Sequence, residues 1–74
     1  MNNVDTLGIR LRSLIFHSDY NIKQTAELLH VRPDTISGYI RGKHFPDLYM
    51  VNSICNLFKV SSDYLLGRES VEEN

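Results

Sequence analysis

The stretch from Asn21 to Gly42 constrains the fold of this chain more than any other part of its sequence. Asn21 is a favoured helix N-cap, and Gln24, three residues later, completes the pattern of a capping box. Pro33 suits the first turn of a second helix, where its missing N–H carries no penalty. Gly42 suits the end of that second helix. The spacing predicts two short helices joined by a tight turn.

The first of these helices is predicted to run from about residue 22 to residue 29. Ala26 lies in its middle, and so small a side chain allows another helix to cross close by. His30 is expected in the left-handed conformation, which His tolerates better than most residues other than glycine. Val31 is expected to fill the corner between the two helices. Together these residues predict a helix-turn-helix.

The second helix has two chemically distinct faces. Ile36, Tyr39 and Ile40 recur at helical spacing and are expected to face the core. The opposite face is polar, and positive charge flanks it. Short polar groups between basic ends match the way DNA-binding proteins divide base reading from phosphate contact, so the pattern predicts a helix that enters the major groove. The polar stripe is Asp34, Ser37, Gly38 and Arg41, and the flanking charges are Arg32, Arg41 and Lys43.

Composition is consistent with a single small globular domain. The chain has 74 residues, of which 42% are apolar, and no apolar run approaches the length of a membrane span. The first residues, MNNVDTLG, lack the pattern of a signal peptide. The lone cysteine, Cys55, excludes an internal disulfide and is expected to be a small buried residue. These features predict a cytoplasmic protein.

The charge of the chain is unevenly distributed. The net charge is −1, but three of the nine acidic residues lie in the last six positions. Residues 1–68 therefore carry eight basic and six acidic groups, a net charge of +2. We expect residues 1–68 to form the domain and residues 69–74 to be a short, acidic, disordered tail.

Three further helices are predicted around the central pair, which makes the fold class all-α. The first runs from about Thr6 to Ser18, with Arg10 and Arg12 on a solvated face. Asp47 can cap a fourth helix to about Lys59, and residue 61 can cap a fifth that ends at residue 67. The apolar residues expected to face inward from the first and fourth helices are Leu7, Leu11, Leu14, Ile15, Val51, Ile54, Cys55 and Phe58.

These pieces, in this order, resemble the DNA-binding domain of the lambda-repressor/Cro type, also called the XRE family. The similarity spans roughly residues 7–67 and implies a compact five-helix domain. Members of that family are mostly bacterial or phage transcriptional regulators that bind operators as dimers. The residues that carry the resemblance are Leu7-Gly8, Arg10-Leu11-Arg12, Ala26 to Val31, Thr35-Ile36-Ser37, Arg41-Gly42, Pro46, Leu48, Val51, Ile54, Phe58, Val60 and Asp63 to Gly67.

The resemblance implies roles for individual positions. Base-reading positions fall at Pro33, Asp34, Ser37 and Gly38. Pro33 can offer an apolar contact to a thymine methyl group, and Asp34 can accept from cytosine N4. The alternative for Asp34 is a favourable interaction with the helix dipole, and for the basic residues an ordinary solvated charge. The phosphate-contacting positions are Lys23, Thr35, Arg41 and Lys43, to which the flanking charge of Arg32 is added.

The function predicted from these features is sequence-specific binding of double-stranded DNA by a small transcriptional regulator, most simply a repressor. We expect a homodimer on a palindromic operator, and the apolar candidates for its contacts are Tyr49, Met50, Tyr64, Leu65 and Leu66. The alternative is a helix-turn-helix domain that serves mainly as a protein-interaction module. No motif predicts catalysis, a cofactor, a metal site or a small-molecule ligand, so we expect no enzyme.

Overall fold

Five helices form the part of the chain that the structure, a computed structural model, describes, which is residues 3–68 with side chains from residue 6. The predicted acidic tail, 69–74, lies outside these residues. Within 3–68 there is no strand, which confirms the all-α prediction, and no helix there is long and apolar enough to cross a membrane. The helices are α1 (Asn3–Phe16), α2 (Ile22–Leu29), α3 (Pro33–Ile40), α4 (Leu48–Phe58) and α5 (Ser62–Leu66).

The core lies where these helices meet, with α1 packed against α3 and α5 and with α2 packed against α3 and α4. Each helix contributes at least one side chain that is almost completely excluded from solvent. The predicted inward faces of α1, α3 and α4 are confirmed, with Leu14, Ile40 and Phe58 half-buried against the core. The fully buried large side chains are Leu7, Leu11, Ile36, Ile54, Leu65 and Thr25.

The predicted helix ends are correct for α2, α3 and α5, and the differences are confined to α1 and to the end of α4. α1 starts earlier than predicted and ends at Phe16 rather than Ser18. The hydroxyl of Ser18 donates to the Ile15 carbonyl at 2.7 Å and accepts from the Tyr20 amide at 3.0 Å. These bonds replace the helical pattern, because short polar side chains compete with helix for backbone groups. α4 ends one residue early, since Lys59 adopts the left-handed conformation with φ of 59°.

Two expectations about individual side chains on α1 and α5 are wrong. Arg10 does not lie on a solvated face, because its guanidinium donates to the Tyr64 carbonyl at 2.9 Å and lies 4.6 Å from the centre of the Tyr64 ring. The Leu65 side chain is fully buried, so it cannot contact a second copy of the folded chain. Arg12, by contrast, is exposed as predicted.

The predicted burial of Cys55 is confirmed, and it has a consequence for alkaline stability. Burial raises the pKa of the Cys55 thiol above its ordinary value of 9.0. Burial, and secondarily the negative charge of Asp47, raises the pKa of the Tyr39 phenol above 10.0. Both protons are bound more tightly in the folded chain than in the unfolded one. The stability that they contribute is therefore complete below the unfolded pKa values and is lost as the pH rises through the folded ones.

We accordingly expect the free energy of unfolding to fall as the pH rises above about 9. Urea unfolding measured at a series of pH values checks this. Cys55→Ala should flatten the first part of the decline, up to about pH 10, because in that interval the unfolded chain releases the thiol proton that the folded chain retains. Parallel pH profiles for the variant and the wild type over that interval would contradict the assignment to Cys55.

Candidate nucleic-acid interface

The helix-turn-helix begins with the predicted capping box. The Asn21 side chain accepts from the Gln24 amide at 2.8 Å, and the Gln24 side chain accepts from the Asn21 amide at 3.0 Å. Both bonds satisfy donors that a helix start would otherwise leave free. They set where α2 begins and so where Lys23, on its first turn, enters solvent.

The turn between α2 and α3 has the predicted geometry. His30 is left-handed, with φ of 61° and ψ of 40°, and the Val31 amide donates to the Ala26 carbonyl at 2.9 Å. Val31 is half-buried against the core. Sequence reasoning missed Thr25, which is completely buried and donates its hydroxyl to the Asn21 carbonyl at 2.8 Å. The position of Thr25 directly before Ala26, on the inward face of α2, could have indicated that its side chain is buried.

α3 presents its N-terminal half to solvent. Pro33 is the first residue of the helix, and it is exposed together with Asp34. Ser37 and Thr35 are half-buried, so part of each side chain can be reached from outside. The opposite face carries Ile36 into the core. A short helix anchored on one side and open on the other has the shape that a major groove accepts.

Positive charge stands at both ends of α3. Arg32 is its N-cap residue and makes no capping hydrogen bond through its side chain, while Arg41 is its C-cap residue. These two, with Lys23 and Lys43, are exposed. Among the side chains of residues 6–68 the ion pair formed is that of Arg68 with Asp63, at 2.8 Å. The four cations around α3 therefore remain unneutralised within the described domain.

Gly38 departs from the expectation of an outward-facing reading position. It is buried, because the imidazole of His44 lies over it. A Cβ atom at position 38 would collide with His44 Cε1 and lie 2.6 Å from Nε2. The surface at this position of α3 is therefore formed by the His44 side chain, which comes from the loop after the helix. A base contact by Gly38 itself would need the His44 ring to move.

The expected dimer contacts divide between the core and the surface. Met50 is buried like Leu65, whereas Tyr64 and Leu66 are half-buried. Tyr49 is 77% exposed. Beside it Leu48 is 75% exposed and Phe45 is 43% exposed, and sequence reasoning missed both. We call Phe45, Leu48 and Tyr49 the apolar patch; it covers the start of α4 and the loop before it.

Comparison with known proteins identifies the family. The sequence profile of the family described as "Helix-turn-helix domain" matches residues 8–71. The chain belongs to this family. The assignment confirms the resemblance to XRE-type helix-turn-helix proteins.

Curated relatives of this helix-turn-helix domain are named as transcriptional regulators. The HTH-type transcriptional regulator ImmR of Bacillus subtilis is 35% identical over 68 residues, covering 92% of this chain and 54% of that protein. The HTH-type transcriptional regulator AnsR of the same organism is 33% identical over 64 residues, covering 86% of this chain and 55% of that protein. The chain thus spans about half the length of the curated relatives it matches.

A solved structure confirms the fold independently. The solution structure of the SOS-response transcriptional repressor LexA from Eubacterium rectale superposes with a TM-score of 0.84. The match covers 97% of this chain and 74% of that one at 21% identity. At this identity the likeness shows the five-helix fold alone.

Proposed function

We propose that this domain binds double-stranded DNA in a sequence-specific manner and regulates transcription, with α3 in the major groove. The observation that carries the proposal is the arrangement of α3, which begins with exposed residues and has at each end a cation that forms no ion pair within residues 6–68. Membership of a helix-turn-helix family and relatives named as transcriptional regulators support it. Binding, and not catalysis, is the activity proposed.

The proposed contacts fall into two classes. Base edges are read by the exposed side of α3, through Asp34, Ser37 and an apolar contact from Pro33, since polar groups at such positions discriminate bases by hydrogen bonding. Phosphates are held by the surrounding side chains, which fix the register of the helix in the groove. The proposed phosphate-contacting residues are Lys23, Arg32, Thr35, Arg41 and Lys43.

A homodimer on a palindromic operator is part of the proposal. One short recognition helix buries little surface, and a two-fold dimer doubles the contact across major grooves about 34 Å apart. The apolar patch is the contact proposed for a second copy because its side chains are exposed, and their burial between two copies would stabilise the dimer. Occupancy of the operator would then exclude polymerase, which makes repression the proposed outcome.

The apolar patch also favours a second candidate function, that of a protein-interaction module which modulates another regulator. Two adjacent residues more than 70% exposed, Leu48 and Tyr49, are the feature that supports it. Salt dependence separates the two candidates. Phosphate contacts lower log affinity by about 0.9 per phosphate for each unit of log salt, whereas apolar packing has little salt dependence.

Selection from random duplex DNA, followed by titration of the enriched site, tests the proposed function. Enrichment of a palindrome with half-sites one helical turn apart is expected. No enrichment at any salt concentration would favour the interaction module.

Arg41→Ala should weaken binding to all sequences alike and reduce the salt slope by about 1, because one phosphate contact is removed. Titration at several salt concentrations measures both effects. Arg68→Ala is the matched control: it removes the same charge from an arginine that is already paired with Asp63. An equal loss of slope in both variants would mean that net charge, and not a contact by Arg41, is responsible.

A further inference from the structure

The outward face of α3 contains a side chain that does not come from α3. Asp34, Ser37, Gly38 and Arg41 form one stripe of the helix, and Gly38 leaves a gap in it. The imidazole of His44 fills this gap, with Cε1, Nε2 and Nδ1 all placed where a Cβ at position 38 would meet them. The stripe is therefore completed by a residue that lies six positions later in the chain.

The position of His44 is set by contacts on two sides. Its ring meets the Tyr39 ring edge-on, with centroids 5.2 Å apart and planes at 80°. The backbone of the loop is tied to the same turn of the helix, since the Lys43 amide donates to the Gly38 carbonyl at 2.9 Å. Gly42, with φ of 73°, allows the chain to reverse there. The loop thus folds back onto α3 and carries the ring with it.

The ring nevertheless remains available to a ligand. His44 is an exposed residue, and among the described residues neither of its ring nitrogens takes part in a hydrogen bond. A neutral imidazole offers one donor and one acceptor, and a protonated one offers two donors.

We propose that His44 is a base-reading residue of this domain, whose imidazole takes the place of the side chain that Gly38 lacks. The proposal rests on the proposed function, since it presupposes that α3 enters the major groove. The ring N–H would donate to an acceptor on a purine edge, either N7 or guanine O6, which the major groove displays. Glycine at position 38 is then required because any larger residue displaces the reading group.

The first test concerns the contact between His44 and Gly38 without DNA. Gly38→Ala is made in the wild type and in His44→Ala. With the ring absent, alanine should lower the unfolding equilibrium constant about two- to five-fold, because alanine favours helix over glycine. With the ring present, that gain should be lost or reversed by the collision. The same gain in both backgrounds would overturn the packing on which the proposal depends.

The second test is selection from random duplex DNA with the wild type, His44→Ala and Gly38→Ala. Both variants should lose preference at the same base pair of each half-site, by about five-fold or more. Lys43→Ala is the control: as a phosphate contact it should weaken all sites alike. If His44→Ala lowers the affinity for all sites equally, base reading is overturned in favour of a phosphate contact. If His44→Ala selects the same sites with the same preference, base reading is overturned and His44 is only a packing residue.

Failure of the inference and failure of the proposed function give different results. If the wild type enriches a site and His44→Ala enriches the identical site, only the role of His44 is overturned. If the wild type enriches nothing while the stability measurements behave as expected, the ring lies over Gly38 but DNA binding is overturned, and base reading by His44 with it.

Discussion

Replacing Gly8 with alanine is expected to destabilise the domain by about 3 kcal/mol, the upper end of the usual cost of overpacking a core. Gly8 is the point where α1 crosses the end of α3. A Cβ atom there would collide with the Ile40 carbonyl oxygen and lie 2.8 Å from that of Tyr39. Both obstacles are backbone atoms, so no side-chain rotation can relieve the collision, and α1 must move away from α3.

The destabilisation expected for Gly8→Ala is opposite in sign to the usual effect of this substitution. In a helix interior, glycine to alanine ordinarily stabilises by about 0.5–1 kcal/mol, because glycine loses more conformational freedom on folding. Urea unfolding of Gly8→Ala should instead show a large fall in the denaturation midpoint. Arg12→Ala, at an exposed position of the same helix, is the control and should change stability by less than about 0.5 kcal/mol. A Gly8→Ala protein as stable as the wild type would mean that the crossing is looser than the structure has it.

Truncating Leu65 to alanine is expected to cost about 2–5 kcal/mol, the range for removing a fully buried leucine. Leu65 has no exposed surface, and α5 packs against both α1 and α4. A domain of this size is expected near the lower end of the usual stability range, about 5 kcal/mol. The loss would therefore remove much of its stability.

Tyr49→Ala is the matched comparison, since Tyr49 was predicted alongside Leu65 as a dimer contact but is 77% exposed. Urea unfolding should show a change of less than about 0.5 kcal/mol for Tyr49→Ala in the monomer. Sedimentation over a range of concentrations should show weakened self-association if the apolar patch joins two copies. If Leu65→Ala left the unfolding midpoint unchanged but abolished self-association, Leu65 would be a dimer contact and not a core residue.

The start of α4 shows why helical spacing alone could not separate all of the buried dimer candidates from the exposed ones. Leu48, Tyr49 and Met50 are consecutive. Helical spacing from the predicted inward residues of α4 places Tyr49 on the opposite face, but it puts Leu48 and Met50 near the two edges of the inward face. The tertiary structure buries Met50 and leaves Leu48 and Tyr49 exposed. The choice between Leu48 and Met50 depends on how α2 and α5 pack against α4, which helical spacing within α4 does not specify.

The sequence by itself determined the local structure of this domain. The predicted local features are all present, namely the capping box of Asn21 and Gln24, the left-handed His30 and the caps at Asp47 and Ser61. Each depends on groups no more than four residues apart, so the pattern of residue types is sufficient. Only the tertiary structure decided that Arg10 joins Tyr64, 54 positions away, and that His44 covers Gly38. Such contacts arise from the crossing of helices and the return of a loop, whose geometry is set by packing of the whole core and by no single segment.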